Sequence, residues 1–313
     1  MSLNRRRFIQ QIGAIGLAGI GAERAEASSG HDESADEGMG VLVDLTNCNG
    51  CRRCEAVCRQ TAGFDPLSAE ALEDRTVFAQ HRRPGPEAYT VVNAFHNGHG
   101  EPGEGEPEDP NTYVKANCLH CLRPGCVSGC IVGALQRDAS GAVLYDAQKC
   151  MGCRYCMVAC PFQIPAYEYS NAFTPQVRKC TLCRDEGNPN RDGPPACVKA
   201  CPKECLTWGR RKDLLVKAHG LIAEHPDHYL PHVYGEHEAG GTAWLYLSHI
   251  PFEKLGFLNV PDRAAPALTE TIQHGVFKHF VPPVAWCGIL ALAMVMTRPE
   301  GEAEGAADAA EQR

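Results

Sequence analysis

The chain has 313 residues, 18 of them cysteine, about one in seventeen, and a net charge of −8. Hydrophobic residues at 44% and charged residues at 22% match a folded protein with a core, which excludes a mostly disordered chain and a many-span membrane protein. The acidic balance and the lack of a long Lys/Arg stripe exclude nucleic acid as a partner. The chemistry of this chain is therefore that of its cysteines.

Residues 1–27 read as an export leader. Asn4-Arg5-Arg6-Arg7-Phe8 precedes a Gly-rich apolar stretch, Ile12 to Ala22, and then Ala25-Glu26-Ala27, which is the basic, apolar and small-x-small order of a signal peptide. The segment resembles a twin-arginine leader, whose pathway exports proteins already folded around their metal cofactors. A retained leader is the alternative. Removing its four basic and two acidic residues takes the net charge to −10.

Sixteen cysteines fall into four groups of four. Cys48, Cys51, Cys54 and Cys58 read C-x2-C-x2-C-x3-C, a pattern repeated by Cys150, Cys153, Cys156 and Cys160 with Pro161 after it. Cys118, Cys121, Cys126 and Cys130 form the second group, and Cys180, Cys183, Cys197 and Cys201, followed by Pro202, the fourth. The C-x2-C-x2-C-x3-C-P run is the bacterial ferredoxin pattern, in which the fourth cysteine serves a neighbouring cluster. Sixteen ligands at four per centre predict four [4Fe-4S] clusters. Two other readings compete, a disulfide framework and zinc. Disulfide scaffolds are usually short, and a four-cysteine zinc site takes two C-x2-C pairs rather than three ligands within seven residues. No C-x-x-C is followed by His, so c-type haem is excluded. Arg52, Arg53, Arg59, Arg123, Arg154, Arg178, Lys179 and Arg184 flank the ligands and are candidates to balance the cluster charge or are plain surface charge.

The groups are internally repeated. Asp44-x3-Cys48-x-Gly50-Cys51-Arg52 matches Asp146-x3-Cys150-x-Gly152-Cys153-Arg154, and the second and fourth groups form the other pair, so two dicluster units are implied. Between them, residues 134–145 predict a hairpin turning at Asp138-Ala139-Ser140-Gly141, and Leu206-Thr207-Trp208 predicts a short strand. The four-cluster domain is placed at 28–210. Within it residues 59–117 are an insertion, expected to be an acidic surface loop because His96 to Pro110 is rich in Gly, Glu and Pro.

This array resembles the four-cluster iron-sulfur subunits of membrane-associated redox complexes, among them the beta subunits of formate dehydrogenase, nitrate reductase and dimethyl sulfoxide reductase. Pro231-His232-Val233-Tyr234-Gly235-Glu236, Gly240-Gly241-Thr242, Pro251-Phe252-Glu253 and Ile272-Gln273-His274 resemble the electron-transfer subunits of periplasmic [NiFe]-hydrogenases of the hydrogenase 2 type. The resemblance implies how the groups pair: Cys48, Cys51, Cys54 and Cys201 on one cluster, and Cys58, Cys180, Cys183 and Cys197 on its neighbour. It likewise implies Cys118, Cys121, Cys126 and Cys160 on the third, and Cys130, Cys150, Cys153 and Cys156 on the last. Ile131 stands where a Pro commonly follows the second group. Cys205 and Cys287 are left over and read as structural.

Downstream, residues 211–275 are expected to be a docking extension. Its His219, His225, His228, His232, His237 and His249 read as loop histidines, with a haem or metal site as the alternative. Phe280 to Thr297 is a charge-free run of 18 residues, which predicts a transmembrane helix over 276–298 and an acidic tail over 299–313. The expected fold class is thus α+β, two dicluster ferredoxin-like units with a long insertion plus one C-terminal transmembrane helix. The expected location is the periplasmic face of the inner membrane.

No nucleophile, substrate pocket or organic cofactor motif is present, so no catalytic residue is assigned. The expected function is a conductor, and the resemblance implies its partners: the catalytic subunit of a periplasmic oxidoreductase, a hydrogenase oxidising H2, and an integral membrane quinone-reactive subunit. The same relay serving a molybdopterin enzyme such as formate dehydrogenase is the first alternative. An exported cysteine-rich protein held by zinc or disulfides is the second.

Overall fold

The computed structural model describes residues 38–96, 111–170, 176–266, 284 and 287–292. Its centre is a three-stranded sheet. Strand β1 (Met39–Asp44) pairs antiparallel with β8 (Leu206–Arg210), Val43 opposite Leu206, and parallel with β9 (Trp244–Leu247), Val41 opposite Trp244. Strand periodicity sends alternate residues to opposite faces. Leu42, Leu245 and Leu247 pack with Leu214 and Ala218 of helix α6 (Arg211–Glu224). Val41, Val43, Trp244 and Tyr246 face the other way, into the core that holds the cysteines.

The segment 211–275, expected as an extension, supplies α6 and β9. It is core, and the sheet is incomplete without it. The insertion 59–117 also differs from the expected surface loop. Strands β2 (Thr90–His96) and β3 (Asn111–Asn117) form an antiparallel pair with Val91, Val92, Ala94, Phe95 and Val114 buried. Residues 97–110, the part richest in Gly, Glu and Pro, lie outside the described residues.

Helix α1 (Arg53–Thr61) is tied to this pair by one buried carboxylate. Glu55 accepts from the Val92 N–H at 2.5 Å and from Arg82 Nη2 at 2.5 Å, while Arg52 Nε donates to its other oxygen at 3.2 Å. Short helix α2 (Ala69–Glu73) lies between, capped by Ser68.

The predicted hairpin is present as β4 (Leu135–Arg137) and β5 (Val143–Tyr145). Asp138 builds its turn by accepting from the Ser140 N–H at 3.0 Å and the Ala142 N–H at 2.9 Å, the side-chain mimicry of a backbone turn that Asp favours. The predicted strand at Leu206 is β8. A second small pair, β6 (Ala166–Tyr167) with β7 (Val177–Arg178), lies near the third cysteine group. Three further short helices are α3 (Gly125–Ser128), α4 (Tyr155–Ala159) and α5 (Ala196–Lys199).

The C-terminal expectation is corrected. Among the described residues no helix is long and apolar enough to cross a membrane. Among the described residues the fold class is α+β without a transmembrane helix, and the expected location, a periplasmic face held by a single C-terminal span after export on the leader, is corrected in that span. The leader 1–27 and the tail 299–313 lie outside the described residues.

Candidate metal centres

Each group opens with the same backbone device. The third residue of every C-x2-C turn has positive φ: Gly50 at 66°, His120 at 49°, Gly152 at 73° and Leu182 at 58°. The first and third groups add a second such residue directly after the second cysteine, Arg52 at 57° and Arg154 at 61°. Alternating right- and left-handed residues turn successive N–H groups inward into a concavity that binds anions, iron-sulfur clusters included. Several of those donors already meet sulfur. Gly152 N–H lies 3.4 Å from Cys150 Sγ, Leu182 N–H 3.4 Å from Cys180 Sγ, and Ala134 N–H 3.2 Å from Cys130 Sγ. Gly50 is required twice over, since a Cβ there would lie 2.3 Å from the Tyr113 ring. The repeated aspartates set the approach, with Asp44 accepting from Thr46 N–H at 3.0 Å and Asp146 from Gln148 N–H at 2.9 Å.

The C-x3-C halves are helical. Cys54 and Cys58 lie on α1, Cys126 on α3 with Cys130 beyond it, Cys156 on α4 with Cys160 at its end, and Cys197 on α5 with Cys201 beyond it. Four residues is about one turn, so Cys54 and Cys58 share a face of α1, while Cys130, Cys160 and Cys201 follow the ends of their helices. Helix α1 packs on α5, and α3 on α4. This joins the first group to the fourth and the second to the third.

Each of the four sets that the resemblance implies has members with shared surroundings. Cys48, Cys51, Cys54 and Cys201 line one cavity with Gly50 and Lys115. Burial pushes the Cys58 thiol up to about 11, with Cys197 and Cys183 adding to it, and Cys180 is raised by burial and then by Cys58. In the third set burial takes Cys126 up to about 12, helped by Cys118 and Cys160, and Cys121 responds to burial and to Cys118, Cys160 and Cys126. In the last, Cys156 is pushed up to about 11 by burial and then by Cys150, Cys153 and Cys130. Thiols raised this far need strong positive charge before they can act as thiolate ligands.

The donor set suits clusters better than single ions. Among the described residues no three His, Cys, Asp or Glu side chains converge closely enough to hold one metal ion. Zinc held by four sulfurs at about 2.3 Å would need that convergence, whereas a cubane takes one thiolate on each of four irons. The cysteines are free thiols rather than disulfides.

Most flanking cations have local jobs. Arg52 pairs with Glu55, Arg178 with Glu168, and Arg59 donates to the Asp65 and Glu87 carbonyls. Arg184 donates to the Gly193 carbonyl and lies 5.0 Å from the Trp208 ring centroid. Lys179 is buried and donates to the Val143 and Cys180 carbonyls.

Three residues at the sites escaped the sequence reading. Lys115 on β3 is buried among Cys197, Cys54, Cys180 and Cys58; burial works against its ammonium, and those sulfurs hold its pKa above the ordinary value all the same. His120 is buried, its Nδ1 accepting from the Val143 N–H at 2.9 Å, and burial with Lys179 and Lys115 nearby holds it well below the usual histidine range. Cys205, read as structural, places its sulfur 3.3 Å from that of Cys201. It also holds the Cys48 thiol down at about 7 by hydrogen bonding, against the opposing effect of burial. The spacing Cys201-x3-Cys205 was the signal for it. For Lys115 the signal was a lysine in the strand that leads into the second group, three residues before Cys118. Cys287 is exposed and joins no set. Among the histidines downstream, His219 pairs with Glu236 and His232 with Glu238, while His228 stacks on His249.

The profile of the 4Fe-4S dicluster domain matches residues 111–211. The chain is 43% identical over 276 residues to a protein of Nitratidesulfovibrio vulgaris strain Hildenborough, covering 85% of this chain and 71% of that one. It is 34% identical over 322 residues to the Hydrogenase-2 operon protein HybA of Escherichia coli O157:H7, covering 95% of each. Identity to the nitrate-inducible formate dehydrogenase iron-sulfur subunit of Escherichia coli K12 is 30% over 255 residues, 80% of each chain. With its repeated cysteine turns, the chain belongs to the 4Fe-4S dicluster family that holds the Hydrogenase-2 operon protein HybA and the formate dehydrogenase iron-sulfur subunits.

Proposed function

We infer that this chain is the electron-transfer subunit of a multisubunit oxidoreductase and that its sixteen grouped cysteines hold four [4Fe-4S] clusters. The observation that carries this reading is the linear order of the sets. Cys54 of the first set lies in the field of Cys197 of the second, Cys180 of the second in that of Cys118 of the third, and Cys126 of the third in that of Cys156 of the fourth. Each set thus neighbours the next, as a relay requires. A bound cluster supplies one-electron chemistry. The chain supplies thiolates, inward N–H groups and a dry core.

One end of the line is suited to a partner subunit. Around the fourth set Cys153, Met151, Tyr155 and Val158 are exposed, with Ile131 beside Cys130. Clustered exposed apolar side chains mark interaction sites. We assign this face to an integral membrane quinone-reactive subunit and the opposite end to the catalytic subunit. Similarity to the Hydrogenase-2 operon protein over 95% of both chains favours a hydrogenase as the catalytic partner. A formate dehydrogenase partner is the second reading, supported by the weaker match over 80%.

The test is the purified complex. About sixteen irons per chain, at four per cluster, with reduction of the clusters by H2 is the expected result. Reduction by formate and not by H2 selects the second reading. A chain holding zinc and no iron would overturn both.

A further inference from the structure

Lys115 presents a charge with no counter-ion. Its side chain is 3% exposed. Nζ lies 2.5 Å from Asn117 Oδ1, 3.5 Å from Thr90 Oγ1 and 4.1 Å from the Trp244 ring centroid. All three are neutral. Among the described residues no carboxylate forms an ion pair with it, in contrast to Arg52, which has Glu55, and Arg178, which has Glu168. A buried ammonium with only neutral partners is strongly destabilising unless an anion is supplied. The groups around it say where that anion sits. Cys54 belongs to the first set, and Cys58, Cys180 and Cys197 to the second, and all four act on Lys115. Lys115 also lines the cavity of Cys48, Cys51, Cys54 and Cys201.

We propose that Lys115 is the shared counter-charge of the first and second sites, raising the reduction potentials of both centres together. The proposal rests on the reading that these two sets hold [4Fe-4S] clusters. The sign follows from electrostatics. A thiolate-ligated cluster is an anion, and reduction adds one more negative charge. A fixed cation in a low-dielectric core therefore stabilises the reduced form more than the oxidised one. The second unit has a buried cation of its own, Lys179, whose partners are the neutral carbonyls of Val143 and Cys180 and whose charge opposes the burial that raises Cys126, whereas Lys115 acts on sulfurs of the first and second sets.

The test uses the intact complex, with iron content and a redox titration of every cluster followed by electron paramagnetic resonance. In K115M the two centres of the first unit are expected to lose at least tenfold in their reduced-to-oxidised ratio at a fixed poise, about 59 mV for one electron. The two centres of the second unit stay where they are. K115R is expected to restore the wild-type potentials. If K115M costs the first unit its clusters, restoration by K115R still assigns the charge. Loss in both variants assigns shape instead and overturns the proposal. So do unchanged potentials in a K115M protein with full iron. Wild-type protein without iron would instead sink the underlying reading and leave no centre for Lys115 to serve.

Discussion

The two cysteine units share one local design and differ in what surrounds them. The first, built on α1 and α5, is enclosed by the central sheet and by β2 and β3, with Lys115 inside it. The second, built on α3 and α4, meets that core through Cys121 and Phe162 and is otherwise flanked by the small pairs β4–β5 and β6–β7. It leaves Cys153 exposed, with Val158 at 82% and Ile131 at 77%. A relay needs an insulated stretch where nothing else can exchange electrons and an end where a partner can approach. The same motif serves both units, and the added strands decide how deeply each copy is enclosed.

The largest test of that contrast is Glu55→Ala. It leaves Arg52 buried without its partner and the Val92 N–H without its acceptor, a loss of about 3–5 kcal/mol by analogy with broken buried pairs. Denaturant unfolding should show that loss, and iron analysis should show the first unit emptied, with about eight of sixteen irons kept. Equal loss from both units would show that the insertion supports the whole array and would remove the distinction. Gly50→Ala comes next. Positive φ at 66° and a Cβ 2.3 Å from Tyr113 together cost about 2–4 kcal/mol. The variant should lose the signal of the first centre alone. An intact four-centre spectrum with unchanged melting would mean that the turn adapts.

At the other unit the expected effect on stability is small and the effect on assembly large. Val158→Asp sits on an exposed face and should change stability by less than about 0.5 kcal/mol. Its readout is co-purification of the partner subunits, which should be lost while all clusters remain. Retained assembly would move the partner face elsewhere.

Legibility followed the same divide. The cysteine turns were readable because their chemistry is local. Spacing alone brings three thiols to one concavity, and Asp138 with Gly141 fixes the β4–β5 turn within a few residues. What failed was nonlocal. Trp244–Leu247 is an apolar run of four, buried on both faces, with no alternation to mark it as a strand; its partner β1 lies some 200 residues earlier. Val91 to Phe95 precedes the Gly- and Glu-rich stretch whose composition was extended to the whole insertion. Lys115 and Glu55 gain their roles from elements that meet only in the fold. The C-terminal run of 18 residues was judged on apolar length, the one property that a span shares with other apolar segments.

The finest difference between the units lies four residues after the last cysteine of the second and fourth groups. The fourth has Cys205 there, and the second has Ala134. Cys205 lowers the Cys48 thiol from 9.0 to about 7 by hydrogen bonding, while burial opposes it. In iron-depleted protein at pH 7, Cys48 should therefore be about half thiolate and alkylate ahead of the other ligands. Cys205→Ala removes the leading cause, so the pKa should return towards 9.0 or above. The thiolate fraction at pH 7 then falls about fiftyfold. A more basic thiolate is also more nucleophilic, with a Brønsted slope of about 0.4–0.5, which returns roughly eightfold for a pKa two units higher, so the net rate should drop about sixfold. Raising the pH through 9 should reverse the order, since both proteins are then largely ionised and the more basic thiolate of the variant is the more nucleophilic. A rate at pH 7 that does not change would mean that Cys205 is the bystander its position first suggested. A slower rate that persists at high pH would point to access rather than ionisation.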